Sequence, residues 1–210
     1  MIYLIGGSPR CGKTILAKKI SREKRIPFIS TDAIRQIILH STPRSEIKKK
    51  FPQELLSKHK GKFFRFEVYP PIQLLKAQIK EAETMWPGVK AFIEQSIMHK
   101  QDFIIEGMHL LPKLVKRLRG AEIWKDVRIV YLVKENLDLI VDGFSQNPNK
   151  HDWMYPSIKN DRARLLSAAK MVQAKGEYLS KEAKKHTFKV INTEVNFEKK
   201  LEETQKFLFK

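Results

Sequence analysis

The stretch Ile2-Tyr3-Leu4-Ile5-Gly6-Gly7-Ser8-Pro9-Arg10-Cys11-Gly12-Lys13-Thr14-Ile15-Leu16 decides the fold. A run of β-type apolar residues stops at two glycines, and Ile15, Leu16 and Ile20 then recur at helical spacing, so the stretch reads as strand, glycine loop, helix. Inside it, Gly7 to Thr14 fits G-x-x-x-x-G-K-[ST], with the strand before and the helix after that give this motif its meaning. The glycines let the backbone curl until its N–H groups and the helix N-terminus face an anion. Lys13 then carries a point charge to the β- and γ-phosphates of a nucleotide, and the Thr14 hydroxyl is a magnesium ligand. Gly7, Ser8, Pro9, Arg10, Cys11, Gly12, Lys13 and Thr14 are therefore the expected nucleotide-binding residues. Arg10 reads either as a contact to phosphate or lid, or as a solvated arginine at a loop crest. Cys11 reads mainly as a small side chain that fits.

Outward from this stretch, further strand-like runs stand at Pro27 to Ser30, Asp102 to Ile105, Val127 to Val133 and Phe188 to Ile191. They are near-continuously apolar rather than alternating, and helical stretches separate them, as in parallel strands covered on both faces. An α/β fold of about five strands in one domain, 1–210, is expected. Residues 40–99 hold no convincing strand; with Pro43, Pro52, Pro70 and Pro71 as breaks, they read as a helical insert after the second strand. Turn formers and aromatics from Ser145 to Pro156, followed by a helical stretch, mark a lid at about 145–165.

Hydrophobic residues make up 42% of the chain and charged residues 30%, so it can bury a core. Lysine and arginine outnumber aspartate and glutamate by 41 to 23, a formal charge of +18 that points to a polyanionic partner. A single cysteine excludes an intramolecular disulfide and a multi-cysteine zinc site. No apolar run approaches the ~18 residues of a membrane span, and the opening apolar run lacks the basic start of a signal peptide. A cytoplasmic location without membrane contact is expected.

Ser30-Thr31-Asp32-Ala33-Ile34-Arg35 follows the second strand and opens a helix, with Thr31 or Asp32 as a natural N-cap. A carboxylate there also projects toward the carboxyl edge of the sheet, where ligands of such folds bind and where phosphoryl transfer needs a group to orient the acceptor hydroxyl. Arg35 lies on the same helix face, and its planar guanidinium suits an anionic group on the acceptor. Glu106, ending the third strand, can hold a magnesium-bound water, contact the acceptor, or only cap the next turn. His109 reads more readily as a packed histidine than as a reacting one.

Taken together, Gly6 to Thr14, Ser30-Thr31-Asp32-x-x-Arg35 and Ile104-Ile105-Glu106-Gly107-Met108-His109-Leu110 resemble the small P-loop kinases related to adenylate kinase, most closely the archaeal-type 2-phosphoglycerate kinase branch. The resemblance implies a P-loop NTPase sheet in the order 2-3-1-4-5, ATP as donor with magnesium, and a phosphate-accepting hydroxyl compound near Asp32 and Arg35. It implies that Asn192, past the last strand, lies where relatives wrap the adenine. Related kinases carry arginines on the helix after the fourth strand; Asn136 to Phe144 has none, so Lys159, Arg162 and Arg164 on the far side of the lid either replace them or form the wet face of a helix. Adenylate kinase activity is not expected, because Gly107-Met108-His109 stands where an arginine-bearing motif is found there.

The insert leaves the acceptor open. From Arg44 to Arg65, basic residues including Lys48, Lys49, Lys50, Lys58, Lys60 and Lys62 interleave with Phe51, Phe63 and Phe64, and Phe66 and Tyr69 follow. This pattern suits phosphates and stacked bases, or an amphipathic lobe with its own aromatic core, and the lobe is preferred. The expected function is an ATP-dependent kinase acting on a hydroxyl of a small anionic or phosphorylated metabolite. The alternatives are a 5′-hydroxyl polynucleotide kinase, whose family also carries Asp-x-x-Arg after the P-loop, and a non-kinase NTP-driven switch.

Overall fold

In the computed structural model, which describes residues 1–57, 65–146, 158 and 161–210, a parallel sheet runs in the order β2-β3-β1-β4-β5. Its strands are β1 (Ile2–Gly7), β2 (Phe28–Ser30), β3 (Phe103–Gly107), β4 (Val127–Val133) and β5 (Lys189–Asn192). Between β1 and β2 lies α1 (Lys13–Lys24), and after β2 come α2 (Thr31–His40), α3 (Arg44–Lys50), α4 (Pro52–Ser57), α5 (Arg65–Val68) and α6 (Pro71–Met98). The chain then adds α7 (Pro112–Val115) after β3, α8 (Leu137–Gln146) and α9 (Arg162–Lys185) after β4, and α10 (Phe197–Leu208) after β5. The expected order of strands is thus found, and each run is placed within two residues of its expected bounds.

Successive side chains of a strand point to opposite faces, and in β1 both sets are buried. Ile2 and Leu4 join a cluster with Ile34, Met85, Leu114 and Val115 on one side of the sheet. Tyr3 and Ile5 join Leu16, Ile20 and Leu201 on the other. This double cover is why the run is continuously apolar rather than alternating, and each such aliphatic contributes about 1.5–3 kcal/mol by burial. The strands share one direction, so Gly7, Ser30, Gly107, Val133 and Asn192 all end at one edge, and the loops that follow them meet there.

α6 carries Pro87 in its interior. A proline withholds one N–H and costs about 3 kcal/mol in a helix, yet Met85, Trp86 and Val89 are buried in the first cluster, and that packing outweighs the local cost. A third cluster, with Phe66, Leu74, Ile140, Phe144, Ile158 and Met171, joins the residues between β2 and β3 to α8 and α9. Phe51 and Phe66 of the basic stretch are therefore packed inside, while Arg44, Lys48 and Lys49 face solvent. Phe51 joins the first cluster against the sheet and Phe66 the third cluster with α8 and α9, so these two rings enter the shared core rather than an aromatic core of the insert's own, and they are not offered to bases. Lys58, Lys60, Lys62, Phe63 and Phe64, most of the expected lid, and Lys159 lie outside the described residues. Among the described residues no helix is long and apolar enough to cross a membrane.

Candidate active site

The phosphate loop closes on itself between β1 and α1. Gly12 caps α1 at φ 95°, a left-handed conformation that favours glycine, and its carbonyl accepts from the Leu16 N–H at 2.9 Å. Lys13 Nζ donates to the Ser8 carbonyl at 2.6 Å, and the Cys11 thiol donates to the same oxygen at 2.8 Å. Arg10 sets its guanidinium 4.4 Å from the centre of the Phe144 ring on α8, so this crest arginine is packed rather than solvated. Beside the loop opens a cleft of about 920 Å³, bordered by Arg10, Thr14, Lys134, Asp142, Thr193 and Phe197.

Strand register brings the carboxylates to this loop. Ser30 of β2 stands opposite Glu106 of β3, and Ile5 of β1 stands opposite Glu106 on the other side. Glu106 is buried, and its Oε1 accepts from the Thr14 hydroxyl at 3.1 Å. Burial pushes its carboxyl up, Lys13 and the Thr14 hydrogen bond oppose that, and the Asp32 charge reinforces it. Asp32 does not cap α2. The Ser30 hydroxyl does so, accepting from the Asp32 N–H at 3.0 Å. Relieved of that task, the Asp32 side chain is 71% exposed, with Oδ1 3.6 Å from His109 Nδ1. The same ring nitrogen lies 3.0 Å from the Thr31 hydroxyl.

Arg35 is placed differently from the sequence expectation. Its Nε donates to Glu81 at 2.7 Å and its Nη2 to Glu54 at 2.8 Å, and the Arg35 and Glu81 side chains are 11% and 0% exposed. Glu81 also accepts from the Gln53 N–H and side-chain amide. One guanidinium between two carboxylates offers little net charge to an anion, so here Arg35 fastens α2 to α4 and α6. Arg162 is exposed in the first turn of α9, and Arg164 Nε lies 3.2 Å from Asp161, the N-cap of that helix. Asn192 is also reassigned: its amide donates to Glu194, which accepts in turn from the N–H groups of Glu135 and Asn136. Asn192 thus fastens the loop, and the neighbouring Thr193, Glu194, Asn196 and Phe197 border the cleft.

Near this edge stand His109, read from sequence as a packed histidine, and Lys175, which sequence reading passed over. His109 is buried, and burial, followed by the positive charges of Lys175, Arg35 and Lys13, pushes its imidazole down to about 3. Lys175, from the middle of α9, is 1% exposed; burial and then Lys13 push its ammonium down to about 7. Lys170, Lys181, Lys184 and Lys185 on α9 are exposed, whereas helical spacing puts Lys175 on one face with Ala168, Val172, Leu179 and Ala183, a signal that could have found it.

No family model matches the chain. It is 28% identical over 117 residues to 2-phosphoglycerate kinase of Methanocaldococcus jannaschii, covering 55% of this chain and 36% of that protein. It is 24% identical over 205 residues to the enzyme of the same name from Methanopyrus kandleri, covering 92% and 56%. The chain therefore spans about a third to a little over half the length of these curated relatives. A gluconokinase structure from Sinorhizobium meliloti 1021 superposes with TM-score 0.54 at 14% identity, over 99% of this chain and 90% of that one. The chain thus has the P-loop kinase fold, with the sheet order 2-3-1-4-5, and over most of its length it is similar in sequence to 2-phosphoglycerate kinases.

Proposed function

We propose that the chain is a magnesium- and ATP-dependent kinase that transfers the γ-phosphoryl group to a hydroxyl of a small anionic or phosphorylated metabolite. The observation that carries this reading is the Thr14–Glu106 hydrogen bond, which joins the phosphate loop to a strand-end carboxylate felt electrostatically by Asp32. The loop N–H groups and Lys13 hold the triphosphate, exchanging the Ser8 carbonyl for phosphate oxygens. Asp32, exposed at the edge and freed from capping, orients the acceptor hydroxyl and takes its proton. Arg162 and Arg164 are the candidates to neutralise the transferring group from the start of α9.

A hydroxyl and a carboxylate 3.1 Å apart are hard oxygen donors of the kind magnesium requires. Among the described residues no group of three or more histidine, cysteine, aspartate or glutamate side chains is placed to hold a metal, so the ion would rely on Thr14, on Glu106 through water, and on the nucleotide itself. When bound, it would neutralise phosphate charge as the transfer proceeds. ATP as donor and a lone buried thiol fit a cytoplasmic setting.

An ATP-consumption screen with magnesium tests the reading, over 2-phosphoglycerate and other phosphorylated hydroxy acids, gluconate and other sugar acids, nucleosides, and 5′-hydroxyl oligonucleotides. The expected result is ADP formation stimulated by a small anionic acceptor. Stimulation by oligonucleotides alone, or slow hydrolysis that no acceptor accelerates, rejects it.

A further inference from the structure

Lys175 carries the charge that the chain's own interactions leave unmatched. Its Nζ is buried and has neither a hydrogen-bond nor an ion-pair partner among the described residues. The next residue explains how it is held there. A Cβ added to Gly176 would lie 1.9 Å from the Lys134 carbonyl, so only glycine lets α9 approach the end of β4 this closely, and the residue before it is carried into the interior. Lys13 from α1 acts on the ammonium electrostatically, the ammonium acts in the same way on His109 from the segment after β3, and the Tyr178 ring on its own helix lies 5.8 Å away. None of these is a carboxylate. His109 Nε2 is likewise buried and unpartnered among the described residues, while its Nδ1 reaches Thr31 and Asp32. Ammonium, imidazole and Asp32 therefore lead from the interior to the exposed edge, and the nearby Arg35 is already matched by Glu54 and Glu81.

A buried unpaired ammonium costs folding free energy, and a fold keeps one where a ligand repays it. We propose that Lys175, with His109 beside it, receives the anionic group of the acceptor, a carboxylate or a phosphate, and so selects an anionic substrate in the role expected of Arg35. This rests on the kinase reading and names the residue that sets its acceptor class. The flexible four-carbon stem of lysine lets Nζ move to meet the anion, and neutral His109 donates or accepts according to its tautomer.

The test compares wild type, Lys175→Met and Lys175→Arg by thermal denaturation and calorimetry in the presence of MgADP. The probes are 2-phosphoglycerate, D-gluconate and inorganic phosphate. Without a probe, Lys175→Met is expected to melt no lower than wild type, because it removes a buried charge and keeps the bulk. At least one probe should raise the wild-type Tm and bind Lys175→Met at least tenfold more weakly, with Lys175→Arg between them and MgATP affinity unchanged in all three. At pH 8 the binding should also take up a proton, seen as a difference in heat between HEPES and Tris buffers, because the anion restores the charged ammonium; Lys175→Met should lose that uptake. Equal probe binding by wild type and Lys175→Met overturns the proposal, as does a wild type that none of the three probes stabilises. A tenfold loss of MgATP affinity instead would assign the cation to the triphosphate and also overturn it. Failure of wild type to bind MgATP would sink the kinase reading, while the probe-induced shift in Tm is still read by itself.

Discussion

The proposed donor and acceptor sides of the candidate site are built in opposite ways. The donor side is one uninterrupted stretch, Gly7 to Thr14, whose backbone makes the anion-facing loop and whose own side chains, Lys13 and Thr14, complete it. The acceptor side is assembled from the start of α2, the end of β3, the segment carrying His109, and the middle of α9. A loop whose chemistry is mainly main-chain N–H groups tolerates change at its variable positions. A site made of side chains from separate elements depends on each helix being docked at the right rotation, and Gly176 against Lys134 is one such docking point.

Four experiments break or sharpen this contrast. Lys13→Ala is expected to have the largest effect, a loss of about 10³–10⁵ in turnover, the range for removing a cation that stabilises the transferring phosphoryl group. Unchanged turnover in the folded variant would remove the donor side from the comparison. Asp32→Asn should lower acceptor-dependent turnover by about 10²–10⁴ at unaltered ATP affinity, the usual contribution of a positioned base. Because Ser30 is the cap of α2, the melting temperature should hardly move. A fall in Tm with normal turnover would instead make Asp32 a structural residue.

Arg35→Ala comes next, and it addresses stability. Removing the guanidinium leaves Glu81 buried without its counter-charge, which is expected to cost about 3 kcal/mol, the low end for a buried pair because Glu54 keeps some solvent contact. Adding Glu81→Gln should recover part of this in denaturant titrations. If Arg35→Ala left stability intact and raised only the acceptor KM, Arg35 would return to the acceptor side.

The smallest expected effect is a pH slope. Folded His109 titrates at about 3, whereas in the unfolded chain a histidine titrates near ~6.5, so between those values the unfolded state binds the extra proton. The stability contributed by neutral His109 is therefore complete above ~6.5 and is lost as pH falls, by up to about 1.4 kcal/mol per pH unit. His109→Gln should flatten the decline of ΔG between pH 6.5 and 4.5 by close to one proton. An identical slope would show that His109 takes up its proton in the folded chain.

How much of this was legible in the sequence follows the same contrast. The P-loop was legible down to individual residues because its geometry is local, and the strands were legible because parallel strands buried on both faces cannot alternate. The capping role expected of Thr31 or Asp32 falls to Ser30, since all three are competent caps and only the backbone at the end of β2 chooses among them. Arg35 was found and misplaced. Its partner Glu81 lies 46 residues away on α6, a pairing that no local pattern links.

The sequence by itself determined the parallel sheet and the phosphate loop at its carboxyl edge, because each is written in residues that are neighbours or in runs that repeat. Tertiary structure alone decided which charges remain available there. The charge of Arg35 is matched by Glu54 and Glu81, and Lys175 is carried inward by a helix whose docking allows only a glycine at the contact. A charged side chain takes its role from what faces it across the fold, and what faces it is fixed only when distant elements pack.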